Sequence, residues 1–142
     1  MPQVNRSALV SFSAKQMYDL VNDVERYAEF LPGCSGGRLI ESSDTALVAE
    51  VDVSKAGIKK SFTTANKMIP GEKIELELVD GPFKSLSGYW NFIPLDDFAC
   101  KVEFSLAFEF SSKLVEMAFG KIFSELTNSM VNAFIQRAKQ IY

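Results

Sequence analysis

The last thirty residues of the chain, Lys113 to Tyr142, constrain its fold more than any other stretch. No proline interrupts them, and apolar side chains recur every three or four positions, which places them along one side of an α-helix. These apolar positions are Val115, Phe119, Ile122, Leu126, Met130 and Ala133. Ser112 supplies an N-cap, so the sequence predicts a long helix that packs its apolar side against another element.

The middle of the chain predicts a sheet for that helix to lie on. Apolar and polar residues alternate almost throughout residues 38–110, as in strands with one buried face. Turn sequences such as Pro70-Gly71 join the strands at hairpin length, which favours antiparallel pairing. Before this region we predict a strand at residues 4–12 and two short helices, the first opened by the capping-box sequence Ser13-Ala14-Lys15-Gln16.

The predicted fold class is therefore α+β, with two short helices after the first strand. A curved antiparallel sheet of six to seven strands wraps around the long C-terminal helix. At 142 residues the chain is expected to form a single domain over residues 1–142.

Charge and composition narrow the function classes. A net charge of −3 argues against a general nucleic-acid binder, so we expect no DNA partner. The two cysteines lie in no CxxC motif and are expected to be free thiols in a reducing cytoplasm. We expect neither a signal or transit peptide nor a transmembrane segment.

The sequence contains no histidine. A Ser-His-Asp or Cys-His nucleophile pair therefore cannot form, and zinc would usually need more cysteines than the two present. No P-loop or GxGxxG motif is found. We expect a protein that is not an enzyme, requires no cofactor and binds no metal.

The apolar faces of sheet and helix should meet in an aromatic interior. Their large side chains either interlock completely or leave a pocket whose few polar groups orient a ligand. Strand parity places Thr64 and Asn66 on the buried face, where polar groups need partners. The candidate cavity residues are Phe62, Thr64, Leu76, Trp90, Phe92, Phe104 and Phe108 from the sheet and Val115, Phe119 and Phe123 from the helix.

Lysines around one predicted hairpin form a second candidate site. Lys55, Lys59 and Lys67 are the candidate contacts. Most lysine groups form a solvated face, but this one could meet RNA phosphates because the remaining surface is acidic.

Several stretches together resemble the START-like (helix-grip, SRPBCC) superfamily, in the branch that contains coenzyme Q-binding proteins and ribosome association toxins. The likeness covers nearly the whole chain. Gly33 stands where many mitochondrial relatives carry Trp, so the chain is more similar to the bacterial toxins. The matching stretches are Asp23-Val24-Glu25-Arg26-Tyr27, Phe30-Leu31-Pro32, Asp80-Gly81-Pro82-Phe83, Trp90-x-Phe92-x-Pro94 and Phe108-Glu109-Phe110.

The resemblance implies two non-enzymatic activities. The first is binding of ubiquinone or a similar prenyl lipid in the sheet–helix cavity, in support of respiration. The alternative is binding to the large (50S) ribosomal subunit, which blocks 70S formation. The superfamily also includes polyketide cyclase-like enzymes, but with no histidine and no acidic pair on an apolar face we do not expect a cyclase.

Overall fold

The computed structural model describes residues 3–55 and 57–142. It has seven strands, two α-helices and one short 3₁₀ helix in these residues. In chain order they are β1 (Gln3–Val10), α1 (Ala14–Asn22), the 3₁₀ helix (Val24–Glu29), β2 (Cys34–Ser42), β3 (Ala46–Lys55), β4 (Ile58–Ile69), β5 (Lys73–Asp80), β6 (Phe83–Asp96), β7 (Ala99–Phe110) and α2 (Lys113–Ile141).

All seven strands join one antiparallel sheet in the order β1-β7-β6-β5-β4-β3-β2. Strands β2 to β7 form a meander of consecutive hairpins, and β1 pairs with β7. This arrangement leaves β1 and β2 at the two edges, while the sheet curves around α2. The predicted α+β fold with a sheet wrapped around the C-terminal helix is confirmed.

Helix α2 begins at its predicted N-cap, but its buried side is shifted from the predicted one. The Ser112 side chain accepts a hydrogen bond from the Val115 backbone N–H, which caps the first turn. Of the six predicted apolar positions only Phe119 and Leu126 are buried. The buried side also includes Phe123, Val131 and Phe134. Phe119, Phe123 and Phe134 are almost completely buried beneath the sheet. The Trp90 ring meets Phe134 perpendicularly, with centroids 5.4 Å apart.

The short helices close one side of the interior. The capping box of α1 is present, because Ser13 and Gln16 exchange hydrogen bonds between side chain and backbone. The second predicted helix is a 3₁₀ helix, and its Tyr27 ring packs edge-on against Phe134 at 5.4 Å. No helix among the described residues is long and apolar enough to cross a membrane.

Two predicted boundaries are wrong. The first strand ends at Val10 rather than at residue 12. The next strand begins at Cys34 rather than near Arg38, so Gly36 and Gly37 belong to β2. Glycine is needed at position 37 because a Cβ there would collide with the Val24 carbonyl of the 3₁₀ helix.

Gly88 permits an equally close approach within the sheet. It lies in β6 between Leu76 of β5 and Leu106 of β7. A Cβ at this position would collide with the Ser105 carbonyl and lie 3.0 Å from the Leu106 Cα. The missing side chain therefore allows β6 and β7 to pack closely at the centre of the sheet.

We predict that Gly88→Ala lowers the free energy of unfolding by about 1–3 kcal/mol, because the added methyl group overpacks the sheet. Ser87→Ala, at the neighbouring exposed position, should change it by less than about 0.5 kcal/mol. Urea denaturation of both variants provides the measurement. Equal stability of the two variants would mean that the strand contact at Gly88 relaxes freely.

Candidate ligand cavity and basic surface

A small internal cavity lies between the sheet, α2 and the 3₁₀ helix. Its volume is about 70 Å³, whereas pockets for small-molecule ligands usually measure about 300–1,000 Å³. The aromatic interior is therefore neither completely filled nor open enough for a large ligand. The lining residues are Val24, Tyr27, Leu31, Cys34, Ala49, Val51, Phe62, Thr64, Asn66, Leu76, Leu86, Trp90, Phe104, Leu106, Phe123, Leu126, Thr127 and Met130.

Six of the ten predicted cavity residues line this space. Strand parity located the five from the sheet, and the helical periodicity of α2 located the sixth. Trp90 and Phe104 form one wall, with their rings stacked at a centroid distance of 4.3 Å. The six residues are Phe62, Thr64, Leu76, Trp90, Phe104 and Phe123.

The other four predicted residues, Phe92, Phe108, Val115 and Phe119, lie outside the lining of this cavity. Phe92 lies on the far side of Trp90 and packs against Tyr18 of α1 at 5.8 Å. Phe108 and Phe119 are buried in a cluster of rings around Phe83 and Phe110. Val115 lies in the first turn of α2 and is partly buried. A residue can thus share the buried face without reaching the cavity, because neighbouring rings fill the space around it.

Sequence reasoning did not assign the 3₁₀ helix to the cavity. Val24, Tyr27 and Leu31 from this region close one wall. The Tyr27 hydroxyl donates to the Val21 carbonyl, and burial raises the pKa of this phenol above its usual value. The apolar pattern of the segment was visible in the sequence, but its position over the open side of the sheet was not.

Cys34 and Ala49 add two small side chains to the lining. Cys34 lies at the start of β2 and is buried, and burial raises the pKa of its thiol. Both cysteines are free, as predicted.

A buried polar pair lies in the wall of the cavity. The Thr64 hydroxyl donates to Oδ1 of Asn66 at 2.8 Å, and both side chains are buried as strand parity predicts. Among the described residues, no acceptor pairs with the Asn66 amide nitrogen, Nδ2. Tyr27, Cys34, Trp90 and Thr127 add further polar atoms to the lining, which contains no Asp, Glu, Lys or Arg within the described ranges.

A wide groove runs outside the cavity, between α2 and the turn at Pro32 and Gly33. Its volume is about 790 Å³, and Leu126 borders both the groove and the cavity. The Lys55 ammonium reaches across the groove to Glu125 of α2, with an N–O distance of 2.6 Å. This hydrogen bond is the main cause of the lowered pKa of the Glu125 carboxyl group.

The three candidate RNA-contacting lysines do not share one end of the molecule. Lys55 and Lys59 lie beside the β3–β4 turn, where Lys55 pairs with Ile58. Lys67 lies on the same strand and the same face as Lys59, but eight residues away, roughly 26 Å along the strand. Its cross-strand neighbour on β5 is Glu75. The predicted grouping is therefore wrong for Lys67.

A comparison with known protein families identifies the family of this chain. The family model described as polyketide cyclase/dehydrase and lipid transport matches residues 10–135. The chain belongs to the polyketide cyclase/dehydrase and lipid transport family. The structure of a START superfamily protein from Mycobacterium smegmatis superposes on this chain with a TM-score of 0.79. The match covers 99% of both chains at 21% identity and establishes the shared fold.

Two proteins similar to this chain carry different names. The chain is 67% identical over 142 residues to a Vibrio cholerae protein named ribosome association toxin RatA, covering 100% of this chain and 99% of that protein. It is 30% identical over 145 residues to the mitochondrial coenzyme Q-binding protein COQ10 homolog B of Xenopus laevis. That match covers 99% of this chain and 59% of the frog protein.

We predict that Leu126→Ala joins the cavity to the groove and destabilises the fold. Leu126 is 2% exposed, and buried Leu→Ala changes typically lower the free energy of unfolding by about 2–5 kcal/mol. The variant should also bind a hydrophobic fluorescent dye more strongly in its folded state.

Leu114→Ala is the matched control, because Leu114 lies on the same helix and is 78% exposed. Its free energy of unfolding should stay within about 0.5 kcal/mol of the wild type. A Leu126→Ala protein that matches this control in stability and dye binding would show that Leu126 does not separate the two spaces.

Proposed function

We propose that this protein is a non-enzymatic ribosome-binding factor that binds the large (50S) ribosomal subunit and blocks its association with the small subunit. The observation that carries the proposal is the 67% identity, over the whole chain, to the Vibrio cholerae protein named ribosome association toxin RatA. A ribosomal target also implies that the protein acts in the cytoplasm.

The geometry of the interior supports a role carried by the outer surface. A cavity of about 70 Å³ is too small for a drug-sized ligand without rearrangement of its walls. The interlocking rings around Phe123 make such rearrangement costly, because packed interiors resist changes of volume. Binding through the exterior requires no such opening.

A catalytic role has little chemical support in this chain. The sequence has no histidine, and the polar atoms of the cavity belong to hydroxyl, thiol, indole and amide groups in the part of the chain that the structure describes. General acid–base catalysis needs a group whose pKa is matched to proton transfer. We infer that the protein acts by occupying a surface rather than by changing a bond.

Purified protein added to separated ribosomal subunits should reduce the fraction that forms 70S ribosomes when magnesium is raised. Because an occluding protein acts through occupancy, the 70S fraction should fall with added protein and level off near one protein per large subunit. Sucrose-gradient sedimentation measures the 70S fraction, and the protein should travel with the large-subunit peak.

Preformed 70S ribosomes provide the control, since the proposed binding surface is covered in them and the protein should act more slowly. Unchanged 70S formation without co-sedimentation would contradict the ribosomal role. Inhibition by far fewer protein molecules than subunits, persisting after the protein is removed, would instead indicate an enzyme.

The apolar cavity favours a second candidate function, binding of ubiquinone or a similar prenyl lipid. Its aromatic and aliphatic walls suit an isoprenoid tail, and the Asn66 amide could donate to a quinone carbonyl. The relative named as a coenzyme Q-binding protein supports the same activity. Burying a tail contributes about 0.8 kcal/mol per CH₂ group, which must exceed the cost of widening the cavity.

We predict that Ala49→Val reduces any prenyl quinone that co-purifies with the protein from its native host, because two added methyl groups occupy cavity volume. Ala49 lines the cavity and is 2% exposed. Ala65→Val is the control, since Ala65 lies on the outer face of the neighbouring strand. Lipid extraction and mass spectrometry measure the quinone content. Absence of quinone from the wild-type protein would reject this second function.

A further inference from the structure

The two ends of the sheet differ in charge. Because neighbouring strands are antiparallel, the β3–β4 turn, the β5–β6 turn and the β7–α2 connection lie at the same end. We call this the hairpin end. Its lysines, which come from four separate elements, are Lys55, Lys59, Lys60, Lys84, Lys113 and Lys121.

Contacts between the elements show that the turns of the hairpin end lie close together. Phe83, just before Lys84, is paired with Phe110 at the end of β7. The Phe62 ring of β4 lies 5.9 Å from the Phe83 ring. Lys55 and Lys121 border the same groove. Lysines distant in sequence therefore share one end of the folded molecule.

The hairpin end is basic, although the chain as a whole is acidic. It carries six lysines and five carboxylates, whereas the rest of the chain carries nine basic and thirteen acidic residues. Segregation of this kind produces a local positive potential that a net charge of −3 conceals. The five carboxylates are Asp52, which is paired with Arg38, and Asp80, Glu109, Glu116 and Glu125.

Most ammonium groups of the hairpin end are available to a partner. Of the nine ion pairs among residues 3–55 and 57–142, one involves a lysine of this end, Lys55 with Glu125. The other five lysines are exposed and form no ion pair with a described residue. At the opposite end, by contrast, Lys73 and Lys101 are each paired with a glutamate.

Exposed apolar side chains lie beside the lysines of the hairpin end. Leu114 and Met117 are 78% and 82% exposed on the first two turns of α2. Helical spacing places Met117 between Lys113 and Lys121 along one line of the helix surface. A surface that combines ammonium groups with apolar contacts can meet both the phosphates and the sugar or base faces of RNA.

We propose that the hairpin end is the surface through which the protein contacts ribosomal RNA, with its lysines on backbone phosphates and with Leu114 and Met117 against the nucleotides. This inference rests on the proposed ribosomal function and adds the partner and the contact surface. Lys67 does not belong to this surface. Binding should weaken steeply with salt, because each phosphate contact releases condensed counterions.

The test compares Lys59→Glu with Lys67→Glu. Both lysines are exposed, lie on the same face of β4 and undergo the same change of charge. Binding to purified large subunits is measured by co-sedimentation between about 50 and 200 mM salt, the range in which phosphate contacts lose most affinity. Thermal unfolding verifies that both variants are folded. If Lys59→Glu is not folded, Lys59→Gln is tested in its place.

We expect Lys59→Glu to weaken binding about fivefold or more and to lower the slope of log affinity against log salt by about 0.7–0.9 for the lost contact. Lys113→Glu, on α2, should have the same effect. Lys67→Glu should remain within about twofold of the wild type, because its charge lies far from the contact surface.

Three results would overturn the inference. Equal affinities of the Lys59→Glu and Lys67→Glu variants, with wild-type binding intact, would reject the hairpin end and leave the ribosomal function standing. Weaker binding of Lys59→Glu with a wild-type salt slope well below that of several phosphate contacts would indicate an acidic ribosomal protein instead of RNA. A wild-type protein that fails to bind at low salt would remove both proposals.

Discussion

The packing of Phe123 against the sheet is the contact on which the rest of the structure depends. This almost fully buried ring of α2 lies 4.8 Å from Phe83 and 4.9 Å from Phe108, measured between centroids. Phe62 approaches it edge-on at 5.8 Å from β4. A single helix residue thus joins β4, β6 and β7, and aromatic pairs of this geometry add about 0.5–1.5 kcal/mol each to the burial of apolar area.

This packing determines how much space remains for a ligand. The rings of Phe83, Phe108, Phe110 and Phe119 fill one end of the interior around Phe123. The remaining cavity of about 70 Å³ is bounded by the 3₁₀ helix and by Leu126. Ligand binding in the cavity would thus require movement of these walls. Lys59 and its neighbours on the exterior, by contrast, are accessible without any such movement.

The sequence alone predicted the architecture because apolar and polar residues recur in it with the periods of strands and helices. Alternation identified the strands, the spacing of apolar residues identified α2, and Ser13 with Gln16 identified the start of α1. Parity also placed Thr64 and Asn66 in the interior. Strand parity does not show which residues of the buried face reach the cavity. Phe92 and Trp90 share that face, but only Trp90 lines the cavity.

The remaining errors arise from contacts between distant segments. Cys34 belongs to β2 and pairs with Val53 of β3, and the 3₁₀ helix packs against the Gly37 backbone of the same strand. No local pattern reveals either contact. Lys59 and Lys67 appear close in sequence, yet an extended strand carries them to opposite ends of the sheet. The order of the strands brings the lysines of the hairpin end together, since Lys84 and Lys113 are distant from Lys59 along the chain.

An electron cryomicroscopy structure of the protein bound to the large ribosomal subunit tests the proposed ribosomal contact most directly. We expect the hairpin end to lie against ribosomal RNA while Leu126 still closes the cavity. A complex with this end in solvent, or with α2 displaced around a bound lipid, would contradict the proposed contact surface.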